Sequence, residues 1–215
     1  MYVNVADLDG GRKGPIVLIL GWPLRTVLKT MSLRNVTLVG HSMGGAVALR
    51  YAARFRSRVS KLVVAEPAPP RFVYGPNPTA LTAGLAGLIS GYAQDRSQVV
   101  RASTKTFFSS LADVTTDPFL QFFEHQGLDQ ASLVVSSRAG LIALRDTHLT
   151  SDLAHITVPT RVFHAIHDQI VPYGHGQAVA VSIRNAPLVT STTAAHGLYV
   201  DERDKFHREL LAFAR

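Results

Sequence analysis

The sequence predicts an α/β fold: a mainly parallel sheet flanked by helices, with a helical lobe set into it. Three observations carry that prediction. Short apolar runs alternate with helical patterns at both ends of the chain, as expected of parallel strands joined by crossover helices. A Gly-x-Ser-x-Gly turn beginning at Gly40 joins one apolar run to an alanine-rich helical stretch. Between residue 67 and about residue 157 the strand patterns stop and only helical ones remain.

The elements follow in order. Tyr2–Ala6 alternates as a strand does, and Asp9-Gly10-Gly11 marks a turn. Pro15–Leu20 (PIVLIL) is unbroken apolar sequence, which suits a strand covered on both faces. Residues 24–33 fit a short helix, and Asn35–Val39 (NVTLV) a second buried strand. Gly40–Gly45 (GHSMGG) then leads into the helical stretch Ala46–Phe55. Lys61–Ala65 (KLVVA) is a third strand, closed by Glu66-Pro67. Prolines 67, 69, 70, 76 and 78 stiffen a connector, and helical patterns follow near 80–93, 95–110, 117–126 and 129–144. Thr160–Ile166 returns to strand, 174–183 to helix and Leu188–Ser191 to strand, and Asp201–Phe213 closes as a helix. Residues 1–66 and 158–215 are thus expected to form the core, and residues 67–157 a helical cap or lid.

Composition narrows the function classes. A chain of 215 residues, 47% hydrophobic and 17% charged, can bury one sizeable core. With no cysteine it has no disulfide framework, cysteine nucleophile or thiolate metal site. No apolar run is long enough to span a bilayer, and no leader pattern is visible, so a cytoplasmic protein is expected. The net charge of +7 arises within residues 1–66, where ten Lys/Arg face three Asp/Glu; beyond them twelve of each balance. Arg50, Arg54, Arg56, Arg58 and Lys61 cluster at the end of one helix, where cations favour the helix dipole. No aromatic interleaving supports a nucleic-acid surface.

The turn at Ser42 is where chemistry is expected. A sharp strand-to-helix turn crowds the backbone, so the flanking positions must be small. Such a turn lifts the serine hydroxyl above the strand ends and points the Met43 amide, with the helix N-terminus, at a developing oxyanion. A serine is a poor nucleophile without a base that is itself held in place. Asp168, just past a strand end, and His196, 28 residues later and past the next strand, can supply both, since their loops leave the same sheet edge. The order Ser, Asp, His also suits this architecture. Glu66, past the third strand, is an alternative acid. His41 adjoins the serine but should point away from it, which makes it structural. His164, His167 and His175 flank Asp168, yet no second acidic group has ligand spacing with them, so no metal is expected.

The segments GHSMGG (40–45), VPT (158–160), HDQIVP (167–172) and HGLYVDERDKFHRELLAF (196–213) together resemble the α/β-hydrolase superfamily, particularly its small esterase and haloperoxidase-like (perhydrolase) members. The resemblance implies Ser42 as nucleophile, His196 as general base and then acid, and Asp168 as the group orienting His196. It implies a second oxyanion donor in the loop Leu20–Pro23, where the Trp22 amide is the candidate, although Leu20 replaces the family's histidine. Trp22, His41, Phe72 and Phe107 are candidate pocket residues, and glycines 84, 87 and 91 are candidate hinge points for the lid. Family members carry an extra helix–strand unit before the nucleophile strand; here only sixteen residues separate Pro23 from Gly40. One unit is therefore missing, and the strand within 2–8 is expected to pair antiparallel with 15–20, covering an otherwise bare edge.

The resemblance implies hydrolysis of a small carboxylic ester through an acyl-enzyme, with perhydrolase side activity and no cofactor. Its expected partner is that ester, with neither nucleic acid nor membrane and a homodimer left open. The rival reading is a shortened, non-catalytic relative kept for binding.

Overall fold

The computed structural model describes residues 3–6, 16–19, 24–68, 78–108, 121, 134–146 and 148–215. Its frame is a single six-stranded sheet in the order β1-β2-β3-β4-β5-β6. The strands are β1 (Val3–Ala6), β2 (Ile16–Ile19), β3 (Val36–His41), β4 (Val59–Ala65), β5 (Thr160–Ala165) and β6 (Leu188–Ser191). Strands β2 to β6 run parallel. β1 is the antiparallel exception, pairing Val3 with Ile19 and Ala6 with Ile16. The expected hairpin is therefore present, and it closes the edge of β2 that a longer chain would cover with a further strand.

Three helices lie between strands of the sheet: α1 (Leu24–Thr30), α2 (Met43–Arg54) and, after the insert, α7 (Gly174–Ser182). The insert between β4 and β5 contributes α3 (Pro78–Gln94), α4 (Arg96–Phe107), α5 (Val134–Asp146) and the single turn α6 (Thr150–Leu153). No strand occurs there among the described residues. Asp95 breaks α3 from α4 because its carboxylate accepts the Gln98 N–H at 3.0 Å, an N-cap. Gly91 is also a packing point. A Cβ there would lie 2.7 Å from Val99 Cγ2, so the glycine lets the two helices approach closely.

Alternation within the apolar strands divides the core in two. Leu38, Leu62, Val64 and Val162 face one side, packed by Leu28, Leu49, Ala52, Val179 and Ile183. Val39, Val63, Ala65, Phe163 and Ala165 face the other, against Leu198 and Phe206. That second side is covered by α8 (Leu198–Asp201) and α9 (Arg203–Ala214). The closing helix expected over 201–213 is α9; the short α8 before it was not expected, and the two are separated at Glu202, with φ −119° and ψ 43°.

In the basic cluster Arg54 and Arg56 are exposed, as expected of a solvated helix end, while Arg50, Arg58 and Lys61 also reach partners in their own chain. Arg50 donates to Asp152 at 2.9 Å and to the His148 carbonyl at 2.8 Å. Arg54 lies 3.5 Å from Asp152. Arg58 donates to the Leu28 and Leu33 carbonyls, and Lys61 to those of Phe213 and Ala214. Among the described residues no helix is long and apolar enough to cross a membrane.

Candidate active site

β3 runs straight into Ser42, whose backbone takes φ 52° and ψ −122°. A positive φ at a non-glycine residue costs about 1–3 kcal/mol and persists only when its surroundings fix it. Here they do. The Ser42 N–H donates to the Ala65 carbonyl at 3.0 Å, and the Ser42 carbonyl accepts from Gly45, Ala46 and Ala68. The neighbours must be small, as expected. A Cβ on Gly40 would fall 2.5 Å from the Gly44 carbonyl oxygen and 2.8 Å from Ala48 Cβ. One on Gly45 would fall 2.9 Å from Pro67 Cα. Serine at the start of a helix usually spends its hydroxyl on a cap, yet the Ser42 side chain makes no capping hydrogen bond to α2. Ser42 is half-buried, and Met43, whose amide opens the helix, is 39% exposed.

Asp168 lies just past β5 and is buried. Its Oδ1 accepts the N–H groups of Ile170 and Val171, each at 2.8 Å. Its Oδ2 accepts the His196 Nδ1–H at 2.7 Å. His164 Nε2 lies 3.4 Å from the same oxygen, but it donates to the Val171 carbonyl at 2.8 Å. Burial alone would raise the Asp168 pKa; the adjacent His164 N–H and the hydrogen bond from His196 outweigh it and hold the carboxylate well below its usual range. His196 therefore faces a fixed anion.

The imidazole of His196 is 1% exposed. With Nδ1 held by Asp168, Nε2 is the nitrogen left for proton transfer. The ring packs edge-on against Phe107 at 4.8 Å and tilted against His41 at 4.7 Å. The end of α4 clamps the turn that carries it: the Gly197 N–H donates to the Phe107 carbonyl at 2.7 Å. Phe108 lies over Gly197, where a Cβ would meet its ring at 2.3 Å. From the other side, Asp201 accepts the Ala195 N–H at 2.9 Å. Glu202 accepts the Ser191 hydroxyl at 2.6 Å and that of Thr193. The sequence offered no sign of these braces beyond two adjacent acids after the HGLYV segment.

His41 and Glu66 complete the cluster, and sequence reasoning undervalued both. His41 is not merely turned aside: its Nε2–H donates to the His196 carbonyl at 2.8 Å. Burial, followed by the proximity of His196, pushes its pKa down to about 3, so the ring is neutral. Glu66 is fully buried with φ 46°, and its Oε2 lies 3.3 Å from His41 Nε2. Burial and then the charge of Asp168 push its carboxyl up to about 11, so it keeps its proton. The His41–Glu66 contact thus joins two neutral groups and is not an ion pair. Asp168, rather than Glu66, holds His196. Donor atoms of His41, Glu66 and His196 lie within 4.8 Å of one another, but a cation would have to displace the protons that His41 and Glu66 carry. Trp22 and Phe72, the candidate oxyanion donor and a candidate pocket residue, fall outside the described residues.

A family described as alpha/beta hydrolase fold matches residues 18–202. A non-heme chloroperoxidase from Burkholderia pyrrocinia is 32% identical over 207 residues, covering 88% of this chain and 70% of that protein. A bifunctional esterase/perhydrolase from Acinetobacter calcoaceticus is 28% identical over 196 residues, covering 88% and 70%. Among solved structures, an esterase from Exiguobacterium antarcticum superposes with a TM-score of 0.80 at 31% identity, covering 89% of this chain and 70% of that one.

Proposed function

The chain belongs to the alpha/beta hydrolase fold family, and from that premise we propose that it is a serine hydrolase cleaving small carboxylic esters through an acyl-enzyme. The observation that carries the proposal is the buried 2.7 Å contact between Asp168 and His196, whose ring packs at 4.7 Å against His41, the residue before a strained serine whose hydroxyl the helix does not use. In this reading Ser42 Oγ attacks the ester carbonyl while His196 Nε2 takes its proton. The oxyanion sits against the amide of Met43, with Trp22 as the proposed second donor. Collapse of the tetrahedral intermediate expels the alcohol, which leaves with the proton from His196. Water then repeats the sequence on the acyl-enzyme and releases the acid. Asp168 keeps the imidazole in the tautomer with hydrogen on Nδ1 and stabilises the imidazolium. Hydrogen peroxide in place of water would give a peracid, and the relatives named above motivate that side activity.

The helices of residues 67–157 are proposed as the cap. Their position supports this: Phe107 lies on the His196 ring, and Met43 Sδ would lie 3.8 Å from a Cβ placed on Gly140. A fluorophosphonate probe read by intact mass tests the proposal. One label per chain, absent in Ser42→Ala, together with turnover of short p-nitrophenyl esters, is the expected result. A folded wild type that never labels would favour the shortened binding relative.

A further inference from the structure

Glu66 takes no part in the steps above, yet the fold goes to some length to keep it. It is 0% exposed, directly follows β4, and holds a positive φ of 46°. Neither carboxyl oxygen makes a hydrogen bond of good geometry, and the nearby backbone of Leu198 and Ala165 only partly offsets its burial. A buried polar group without such partners costs stability. An apolar side chain there would therefore stabilise the fold. The carboxyl does reach one element of the site. Its Oε2 lies 3.3 Å from His41 Nε2, to the side of the N–H that His41 gives to the His196 carbonyl.

We infer that Glu66 is a positioning residue that acts through His41, holding it as the neutral Nε2–H tautomer and so fixing the turn that carries His196. With its proton on Oε1, the carboxyl presents a carbonyl oxygen to Nε2 and favours the tautomer with hydrogen on that nitrogen, the only one that can donate to the His196 carbonyl. A neutral carboxyl does this without adding a second anion next to Asp168. The charged and titratable groups facing Glu66 are His41, Asp168, Tyr199 and Asp201. Tyr199 also packs edge-on against the His41 ring at 5.0 Å. The two acids in that set oppose ionisation of Glu66.

The inference rests on the hydrolase reading for its purpose but not for its test. Imidazole signals of His41 and His196 would be followed by nitrogen-15 NMR in wild type, Glu66→Gln, Glu66→Leu and His41→Phe, alongside ester turnover. Glutamine offers the same neutral oxygen, so Glu66→Gln should leave the His196 Nδ1–H signal in place and kcat within about threefold. Glu66→Leu should shift or broaden that signal and lower kcat about tenfold with KM little changed. His41→Phe should do the same, and the double variant should be no worse than either single one. Unaltered His196 signals in Glu66→Leu, or additive losses in the double variant, would overturn the inference. If the signals move as expected while the wild type neither labels nor turns over, the hydrolase reading fails and the positioning role stands.

Discussion

Replacing Glu66 with glutamine should change how stability depends on pH, by an amount that follows from the structure. The ordinary value for a glutamate carboxyl is 4.5, and burial in the fold lifts it to about 11. Between pH 6 and 8 the unfolded chain therefore holds no proton at this position, while the folded chain holds one. Where the folded state binds more protons, stability falls as pH rises, by about 1.4 kcal/mol for each unit. Across those two units wild type should lose about 2.7 kcal/mol relative to Glu66→Gln, whose side chain does not titrate. The figure does not depend on the exact folded value, provided it stays a full unit or more above 8. His41 and His175 are depressed to about 3 and about 4. They contribute the opposite slope as pH falls through the histidine range, but they are common to both proteins and cancel in the difference. Urea unfolding followed by circular dichroism at pH 6, 7 and 8 measures it. With an m value of about 2.5 kcal/mol per molar, the gap between the midpoints should change by about 1 M. Parallel pH profiles for the two proteins would show that Glu66 is ionised in the fold and would refute the reasoning.

Other consequences are open to direct measurement. Asp168→Asn should leave the fold intact but lower kcat roughly 10³- to 10⁴-fold in a p-nitrophenyl ester assay, because His196 loses its tautomer and its counter-charge. Gly197→Ala must displace the Phe108 ring from a 2.3 Å contact; a loss of about 1–3 kcal/mol in urea unfolding is expected, with turnover falling as the His196 turn moves. Glu202 is partly buried, which alone would raise its pKa, but hydrogen bonds from Lys205, Ser191 and Thr193 hold it down at about 2. Its contribution to stability is therefore present above the ordinary carboxylate range and is lost as pH falls from there toward 2. Glu202→Gln should flatten that acid-side decline, as thermal melts between pH 3 and 6 will report.

The frame, and the meeting of Asp168 with His196, were legible in the sequence because each rests on local pattern. Continuous apolar runs gave the parallel strands, and the edge hairpin followed from the strand that the short link leaves unpaired. At Gly40 and Gly45 steric need alone dictates the residue, so the turn at Ser42 could be read without any fold. What escaped notice depends on contacts made across the chain. His41 meets the carbonyl of a residue 155 positions away, and Glu66 acquires its environment only when β4 packs between β3 and β5. Burial, which no motif encodes, is what sets the charge states of both. The partners of Arg50 in α2, Asp152 and the His148 carbonyl, could not be read from the sequence because tertiary packing supplies them. The break at Glu202 has the same origin: nothing in the local sequence ends a helix there, but the carboxylate is committed to Ser191 and Thr193.

A crystal structure of the protein after reaction with a fluorophosphonate would test the central claim most directly. The account predicts phosphorus bonded to Ser42 Oγ, a phosphoryl oxygen about 2.7–3.1 Å from the Met43 amide, and His196 Nε2 directed at the adduct with Nδ1 still on Asp168. An unmodified Ser42 in a fully reacted sample, or an adduct with the His196 ring turned away from it, would contradict the account.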